Sequence, residues 1–214
     1  MAKRNAFISA SRPVVTVNAK ELLRELTSDR PNDKSMAMAL RNLIEPKIKE
    51  RQEELERKFE AHPVTVELNA GPRASNTSGA LGGYGNLFSF IGFSSGDDPT
   101  KVISRIFEEK IRFKVQRAGK TGKYRVTFFI PSTEEIYGLT SIPWMTGKSW
   151  VKSLETGDLT NLGQYLYSAA GFSSSSSGTG IQATNKSSGV TLRRTPYVGK
   201  LIEDFKKRLL KLDR

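Results

Sequence analysis

Five cationic residues in one short stretch are the residues of this chain best suited to bind a charged ligand. The stretch Ile111–Ile130 reads IRFKVQRAGKTGKYRVTFFI. From Lys101 to Ile130 there are nine Lys or Arg and two Glu, a net +7 of the chain's +12. Because Lys and Arg neutralise phosphates and carboxylates, we expect this stretch to face DNA or an acidic protein surface. The predicted contact residues are Arg112, Lys114, Lys120, Lys123 and Arg125.

Two glycine-containing segments have part of a nucleotide-binding pattern. Met145–Ser149, MTGKS, ends like a phosphate-binding loop, but Ile142 stands where that loop needs its first glycine. Gly82–Phe88, GGYGNLF, begins like a dinucleotide-binding loop, but Phe88 occupies the position of the third glycine. We therefore predict turns in both segments, and no cofactor.

Other residues with catalytic or metal-binding chemistry are few and scattered. His62 is the only histidine, and the chain has no cysteine, which excludes His-rich and Cys-based metal sites. Glu134-Glu135 and Asp97-Asp98 are adjacent pairs, which rarely converge on one metal ion, and Asp98 is also suited to cap a helix. We predict no catalytic or metal-binding residue and a protein that is not an enzyme. The alternative is an enzyme with an acidic metal site at Glu134 and Glu135.

A β-hairpin is the element that must position the five cations. Apolar and polar residues alternate with period two on both sides of a turn bounded by Gly119 and Gly122, which predicts one apolar and one cationic face. The predicted apolar face consists of Ile111, Phe113, Val115, Tyr124, Val126, Phe128 and Ile130. Its aromatic residues are therefore expected to serve the core rather than to stack on bases.

Two longer segments have helical periodicity. In residues 33–61 the apolar stripe consists of Met36, Leu40, Leu43, Ile44, Ile48, Leu55 and Phe59. Pro46 either kinks this helix or begins a second one. The charged face from Lys47 to Glu60 favours an ordinary amphipathic helix, with a partner-facing coiled coil as the alternative. Residues 198–212 predict a C-terminal amphipathic helix, and the fold class is predicted to be α+β.

Shorter patterns predict the remaining elements and a division of the chain into three parts. Strands are predicted at Val14–Val17 and Pro63–Leu68. Helices are predicted from Asn18 to Leu26, from Pro99 to Lys110 and from Asp158 to Ala170, and a short helix or turn in 131–139. A second hairpin is predicted from Ile181 to Arg194. Residues 1–32 are predicted to form a basic arm with a short helix, and 33–172 an α+β core. Residues 173–214 are predicted to form a serine-rich linker, the second hairpin and the basic helix.

A dense apolar cluster, LFSFIGF at Leu87–Phe93, lies inside a Gly- and Asn-rich segment. Because loops usually lie at the surface, this cluster must either fold back onto the core or insert into a partner. The two tryptophans pose the same question, since tryptophan often anchors interfaces. The candidates for a subunit interface are Leu87, Phe88, Phe90, Phe93, Trp144 and Trp150.

The sequence contains no pattern typical of a membrane span or of a signal peptide. No segment approaches the roughly 18 apolar residues of a membrane span. The N-terminus, MAKRNAFISASRP, lacks the apolar stretch of a signal peptide. We therefore expect a protein that is made in the cytoplasm and has no membrane partner.

Three segments resemble virion proteins of long-tailed bacteriophages: Asn76–Phe93, the hairpin, and the tryptophan-containing region Pro143–Tyr167. The nearest class is the small neck or tail-completion proteins of the head–tail junction, over roughly residues 35–210. The resemblance implies a non-enzymatic subunit in a ring around the DNA channel of the virion, with a long helix packed on a small antiparallel sheet. The implied partners are copies of itself, neighbouring neck or tail proteins, and DNA contacted without sequence preference. A nucleic-acid-binding module that uses the cationic hairpin is the alternative.

Overall fold

The structure is a computed structural model that describes residues 14–17, 33–82, 86–118, 123–143, 145–158, 166–167, 181–182 and 192–211. The helices are α1 (Asp33–Glu60), α2 (Pro63–Asn69), α3 (Leu87–Ile91), α4 (Lys101–Lys110), α5 (Thr133–Leu139), α6 (Trp150–Thr156) and α7 (Val198–Leu209). The strands are β1 (Val14–Val17), β2 (Arg112–Ala118), β3 (Lys123–Phe129), β4 (Ser141–Ile142), β5 (Met145–Ser149), β6 (Leu166–Tyr167) and β7 (Ile181–Gln182). A 3₁₀ turn covers Gly71–Arg73. The predicted α+β class is confirmed.

The largest sheet has three antiparallel strands in the order β1-β3-β2. Strands β2 and β3 form the predicted hairpin, in a register that pairs Phe113 with Phe128 and Val115 with Val126. The predicted strand Val14–Val17 is confirmed as well, and it pairs with the other side of β3. The hairpin's second strand is therefore the centre of the sheet, and β2 is one edge.

Helix α1 is a single helix of 28 residues with Pro46 inside it. Proline removes one helical hydrogen bond, which would join its nitrogen to the carbonyl of Asn42. Asn42 and Pro46 are both exposed, so water can satisfy that carbonyl and the helix continues. The predicted apolar stripe is buried at Leu40, Ile44, Ile48, Leu55 and Phe59, whereas Leu43 is 38% exposed.

Helix α1 packs on the sheet with its first half and on α7 with its second half. Leu40 and Tyr124 form a buried contact cluster on the sheet side. Phe59 and Leu55 share the main core with Ile202 and Phe205 of the amphipathic helix α7. Helix α7 therefore shares the core of α1, although it lies beyond the boundary predicted near residue 173.

The segment predicted as a strand at Pro63–Leu68 is the helix α2. His62 caps it, with its side chain accepting a hydrogen bond from the Val64 N–H, and Pro63 occupies the first turn. The segment alternates like a strand, but Val64, Glu67 and Leu68 are buried at helical spacing. The alternation of apolar and polar residues over these six positions therefore wrongly predicted a strand. A proline at the first turn correctly indicates the start of a helix.

The apolar cluster folds back onto the core, where it forms α3. The Asn86 side chain accepts a hydrogen bond from the Ser89 N–H and donates to two carbonyls of the preceding turn, and Gly92 ends the helix with φ +90°. The tryptophan ring of α6 lies 5.9 Å from the Phe93 ring. No more than 6% of any of these side chains is exposed: Leu87, Phe88, Phe90, Phe93 and Trp150. Their assignment to a subunit interface is therefore corrected, and Trp144 lies outside the described residues.

The remaining predictions had mixed outcomes. The helix predicted from Pro99 begins at Lys101, whose N–H donates to Asp98, but Val102 is 40% exposed rather than inward. The short helix after the hairpin is confirmed as α5. The predicted Asn18–Leu26 helix, the serine-rich linker and most of the second hairpin fall on residues that the structure does not describe.

Two predictions near the C-terminus are contradicted where the structure can test them. The helix predicted from Asp158 to Ala170 is replaced at Leu166–Tyr167 by β6, which pairs with β7. The strand predicted over Val190–Arg194 is absent at its described end, where the Arg193 N–H donates to the Ala80 carbonyl at 2.7 Å. Long-range partners decided both segments, and local alternation could not reveal them.

Candidate nucleic-acid interface

The register of the hairpin brings three of the five predicted cations onto one face of the sheet. Lys114 pairs with Thr127, and Gln116 pairs with Arg125. Directly paired residues of antiparallel strands share a face, and successive pairs alternate between faces. Arg112, which pairs with Phe129, therefore belongs to the same face. We call this surface the cationic face.

The two faces of the hairpin have opposite burial. Arg112, Lys114 and Arg125 are exposed, whereas Val126 and Phe128 on the other face are 2% and 1% exposed. The predicted alternation is therefore confirmed for these residues. The backbone of Lys123 pairs with Ala118 in the hairpin, but its side chain and the whole of Lys120 lie outside the description.

The charge of the cationic face is not neutralised within the sheet. None of the three strands contains an acidic residue. In the part of the chain that the structure describes, neither Lys114 nor Arg125 forms an ion pair with a carboxylate. Both side chains are therefore available to an external anion.

The base of the hairpin is electrostatically different. The Arg112 Nε–H donates to the Glu109 carbonyl at 3.0 Å, which fixes the guanidinium near the end of α4. An open groove of about 530 Å³ beside it also contains Glu134 and Glu135. Lys110 pairs with Glu135 there. The charge of Arg112 is therefore offset by nearby carboxylates, whereas Lys114 and Arg125 form no ion pair with a described carboxylate.

Sequence reasoning missed one aromatic residue on the cationic face. Phe129 has the same strand parity as Arg125 and Thr127, and it pairs with Arg112. Its side chain is half-buried, unlike Phe128 on the other face. Because every second residue of a strand faces the same side, the sequence alone would have placed Phe129 on the cationic face.

The phosphate-loop-like segment is the strand β5, followed by a helix cap, so the turn predicted for it is wrong. Gly147 lies within β5 with φ +82°. The Ser149 hydroxyl accepts a hydrogen bond from the Lys152 N–H at the start of α6, and Lys148 lies 3.8 Å from Asp158. In the second glycine-containing segment, Asn86 caps α3, and residues 83–85 lie outside the description. Residues that a phosphate-binding loop would use therefore have structural partners here.

His62 and the acidic pairs also have local roles. His62 Nδ1 accepts a hydrogen bond from the Val64 N–H at 3.3 Å, and burial lowers the pKa of the imidazole. Asp97 accepts a hydrogen bond from the Ser94 N–H at 2.7 Å. Across the described ranges, no three His, Asp or Glu side chains form a group that could hold a metal ion. No helix among them is long and apolar enough to cross a bilayer.

Sequence reasoning also missed two carboxylates that join segments distant in the chain. Glu67 is fully buried, and its two oxygens accept hydrogen bonds from the Ser78 and Leu87 N–H groups, each at 2.8 Å. Glu155 accepts hydrogen bonds from the Tyr137 hydroxyl of α5 at 2.5 Å and from the Gly199 N–H of α7 at 2.7 Å. Burial and the Glu155 carboxylate raise the pKa of the Tyr137 phenol. A sequence offers no clear signal for such contacts, since the partners lie 11 to 44 residues away along the chain.

No protein-family model matches the chain, and no curated protein and no solved structure is significantly similar to it.

Proposed function

We propose that this protein is a non-enzymatic subunit that binds the phosphate backbone of duplex nucleic acid through its cationic face. The observation that carries the proposal is the exposure of Arg112, Lys114 and Arg125 on a sheet whose strands contain no carboxylate. Cations that neutralise phosphates release condensed counterions, which drives binding of any sequence. Phosphate contacts position a protein on the duplex, whereas contacts to base edges specify the sequence.

A duplex fits this surface better than a single strand does. Proteins that bind single strands stack successive bases on aromatic side chains. Tyr124 and Phe128 are buried on the opposite face of the sheet, and Phe129 is half-buried beside Arg112. The cationic face therefore favours contact with phosphates over stacking and does not read sequence.

The test is binding of a labelled 25-base-pair duplex to the wild type and to Lys114→Glu/Arg125→Glu, followed by fluorescence anisotropy. If three phosphates are contacted, wild-type affinity should fall about 40-fold between 50 and 200 mM salt. The double variant should bind at least about tenfold more weakly at 50 mM salt and show a shallower salt dependence. A duplex of different sequence should bind the wild type equally well.

A matched control separates this surface from net charge. Lys101→Glu/Lys152→Glu makes the same charge change at exposed helical positions outside the sheet, and neither lysine has a recorded ion pair in the described ranges. It should retain most of the affinity. Equal binding by both double variants, or no binding by the wild type at 50 mM salt, would contradict the proposal.

We further propose that the subunit works in the neck or tail-completion ring of a phage virion, where the cationic face would lie towards the passing DNA. Two observations support this setting: the resemblance of Asn76–Phe93, the hairpin and Pro143–Tyr167 to such proteins, and a positive surface that does not read sequence. The apolar cluster at Leu87–Phe93 does not add support, because it is buried in its own subunit.

Electron microscopy of the purified protein tests this setting, together with mass spectrometry of purified virions. We expect closed rings of defined size and the presence of the protein in the particle. A protein that stays monomeric at high concentration and is missing from virions would overturn the ring proposal. The duplex-binding proposal would stand or fall separately on the anisotropy result.

A further inference from the structure

Strand β2 lies at an edge of its sheet. In the order β1-β3-β2, one side of β2 is bonded to β3, and no described strand pairs with its other side. Strand β2 has seven residues. Along Arg112–Gln116, the N–H and C=O groups on this side have no partner among the described strands, so they can hydrogen-bond to an added extended chain. The length of β2 corresponds to about 23 Å of extended chain.

A groove runs beside the first half of this edge, between β2 and α1. It is open and has a volume of about 450 Å³. Its apolar lining includes Ile48, Ile111 and Phe113, of which the two isoleucines are buried and the phenylalanine is half-buried. An apolar side chain on an added strand would therefore find a partner surface here.

The rim of the groove is mainly cationic. Arg41 and Lys49 of α1 lie on one side, and Arg112 of β2 lies on the other. The Arg41 guanidinium lies 5.6 Å from the centre of the Phe113 ring. The one carboxylate in the lining, Glu45, lies 3.7 Å from Arg41 and offsets only part of this charge.

The charges at this edge select among added strands. Strand β2 contains Arg112, Lys114 and Arg117 and no acidic residue, so the same edge of a second copy would repel it. An acidic strand would instead be attracted by these side chains and by the rim of the groove. The same cations thus oppose pairing between the β2 edges of two copies and favour one class of partner.

We propose that the β2 edge and the adjoining groove form a docking site for an extended acidic segment of a partner protein. The segment adds as a fourth strand beside β2. Its backbone bonds to the edge of β2 that no described strand occupies, its carboxylates face Arg41, Lys49 and Arg112, and an apolar side chain enters the groove. Arg112 is shared with the cationic face, but Arg41 and Lys49 belong to α1, so variants of α1 test this proposal separately from duplex binding.

The probe is a fluorescein-labelled peptide of sequence Glu-Val-Glu-Ile-Glu-Val-Glu, with a second peptide in which lysine replaces every glutamate. Saturable binding of the acidic peptide and no binding of the basic one are expected. Lys49→Glu should weaken the acidic peptide about fivefold or more, because it replaces an attraction at the rim by a repulsion. Lys47→Glu is the matched control, since it makes the same change two positions away on the exposed side of α1 and outside the groove.

Two further peptides test backbone pairing. One carries N-methyl groups on the valines and isoleucine and the other on the two internal glutamates, so each removes the N–H donors on one edge of the strand. One of the two must lose binding if the peptide pairs with β2.

Equal binding of both methylated peptides, or equal effects of Lys49→Glu and Lys47→Glu, would overturn the proposal. If the acidic peptide does not bind at all, the proposal is also overturned, and the cations serve only to prevent the β2 edge from pairing with other strands. A Lys49→Glu effect on the duplex rather than the peptide would assign the groove to nucleic acid.

Discussion

Glu67 is a fully buried carboxylate, and both of its oxygens accept hydrogen bonds from backbone amides. It joins α2 to the beginning of α3 and to the Gly- and Asn-rich segment between these helices. Leaving a buried N–H group without a partner costs about 1–3 kcal/mol. A single side chain thus fixes a loop that has little regular secondary structure of its own.

We expect Glu67→Gln to lower the free energy of unfolding by about 2 kcal/mol, because one amide N–H then faces the glutamine NH₂ instead of an oxygen. Urea denaturation followed by circular dichroism measures this. The control is Glu53→Gln, an exposed position on α1, which should change stability by less than about 0.5 kcal/mol. Similar stability of the two variants would show that the loop does not depend on the carboxylate.

His62 gives the fold a pH dependence near neutrality. Its Nδ1 accepts the Val64 N–H, and it also hydrogen-bonds to the Pro196 backbone, so the cap needs the neutral imidazole. Burial lowers the pKa of His62 in the folded state, while the Pro196 hydrogen bond and the nearby Glu155 oppose that shift. The unfolded chain therefore binds the proton more readily, and the stabilisation is fully present above pH about 6.5 and lost as the pH falls below it.

The variant His62→Asn keeps a capping side chain that does not titrate in this range. We expect the wild type to lose more stability than the variant between pH 7.5 and 5, by up to about 1 kcal/mol. Thermal denaturation of both proteins across this range measures the difference. Parallel curves would exclude His62 as the titrating group.

At the scale of elements, α1 and α7 are joined by a cluster of charges as well as by their apolar faces. Glu54 pairs with Arg208 of α7 and lies 3.2 Å from Lys58 and 3.5 Å from Arg51. The hydrogen bonds from Arg208 and Lys58 lower the pKa of Glu54 to about 2, despite opposing desolvation. Because Glu54 is 23% exposed and Arg208 is 40% exposed, solvent screens part of this interaction.

Glu54→Gln should reduce stability at pH 7 by about 1 kcal/mol, because it removes the anion shared by three cations. A carboxylate with a lowered pKa stabilises the fold above its unfolded value, near 4.5, and that contribution disappears as the pH falls through about 2. The wild type and the variant should therefore converge in stability near pH 2. Urea titrations at several pH values measure the convergence, and a gap that is constant with pH would contradict it.

At the scale of the whole molecule, the C-terminal helix is part of the core. Tyr197 is fully buried, its hydroxyl lies 2.8 Å from Thr65 Oγ1, and its ring lies 5.9 Å from that of Phe59. Val198, Ile202, Phe205 and Leu209 continue the same core along α7. The helices at the two ends of the described core are therefore mutually dependent.

Truncation before Tyr197 should abolish cooperative unfolding, because it exposes the apolar faces of α1 and α2 together. Truncation after Lys211 removes none of the buried residues that the structure describes and is the control. Differential scanning calorimetry should give a cooperative transition for the control only. A cooperative transition in the shorter protein would support the division near residue 173 after all.

Part of the fold and of the candidate site follows from the sequence alone, since period and charge are local properties. The alternation in Arg112–Ala118 and Lys123–Phe129 specified a hairpin with an apolar and a cationic face, whichever elements surround it. The apolar stripes of α1 and α7 were visible for the same reason. Only the tertiary structure decided that Pro63–Asn69 is a helix and that Leu87–Phe93 is buried, because a short apolar run gains its stability from what packs against it. The position of β2 at a sheet edge, beside a groove on α1, also depends on contacts between segments distant in sequence.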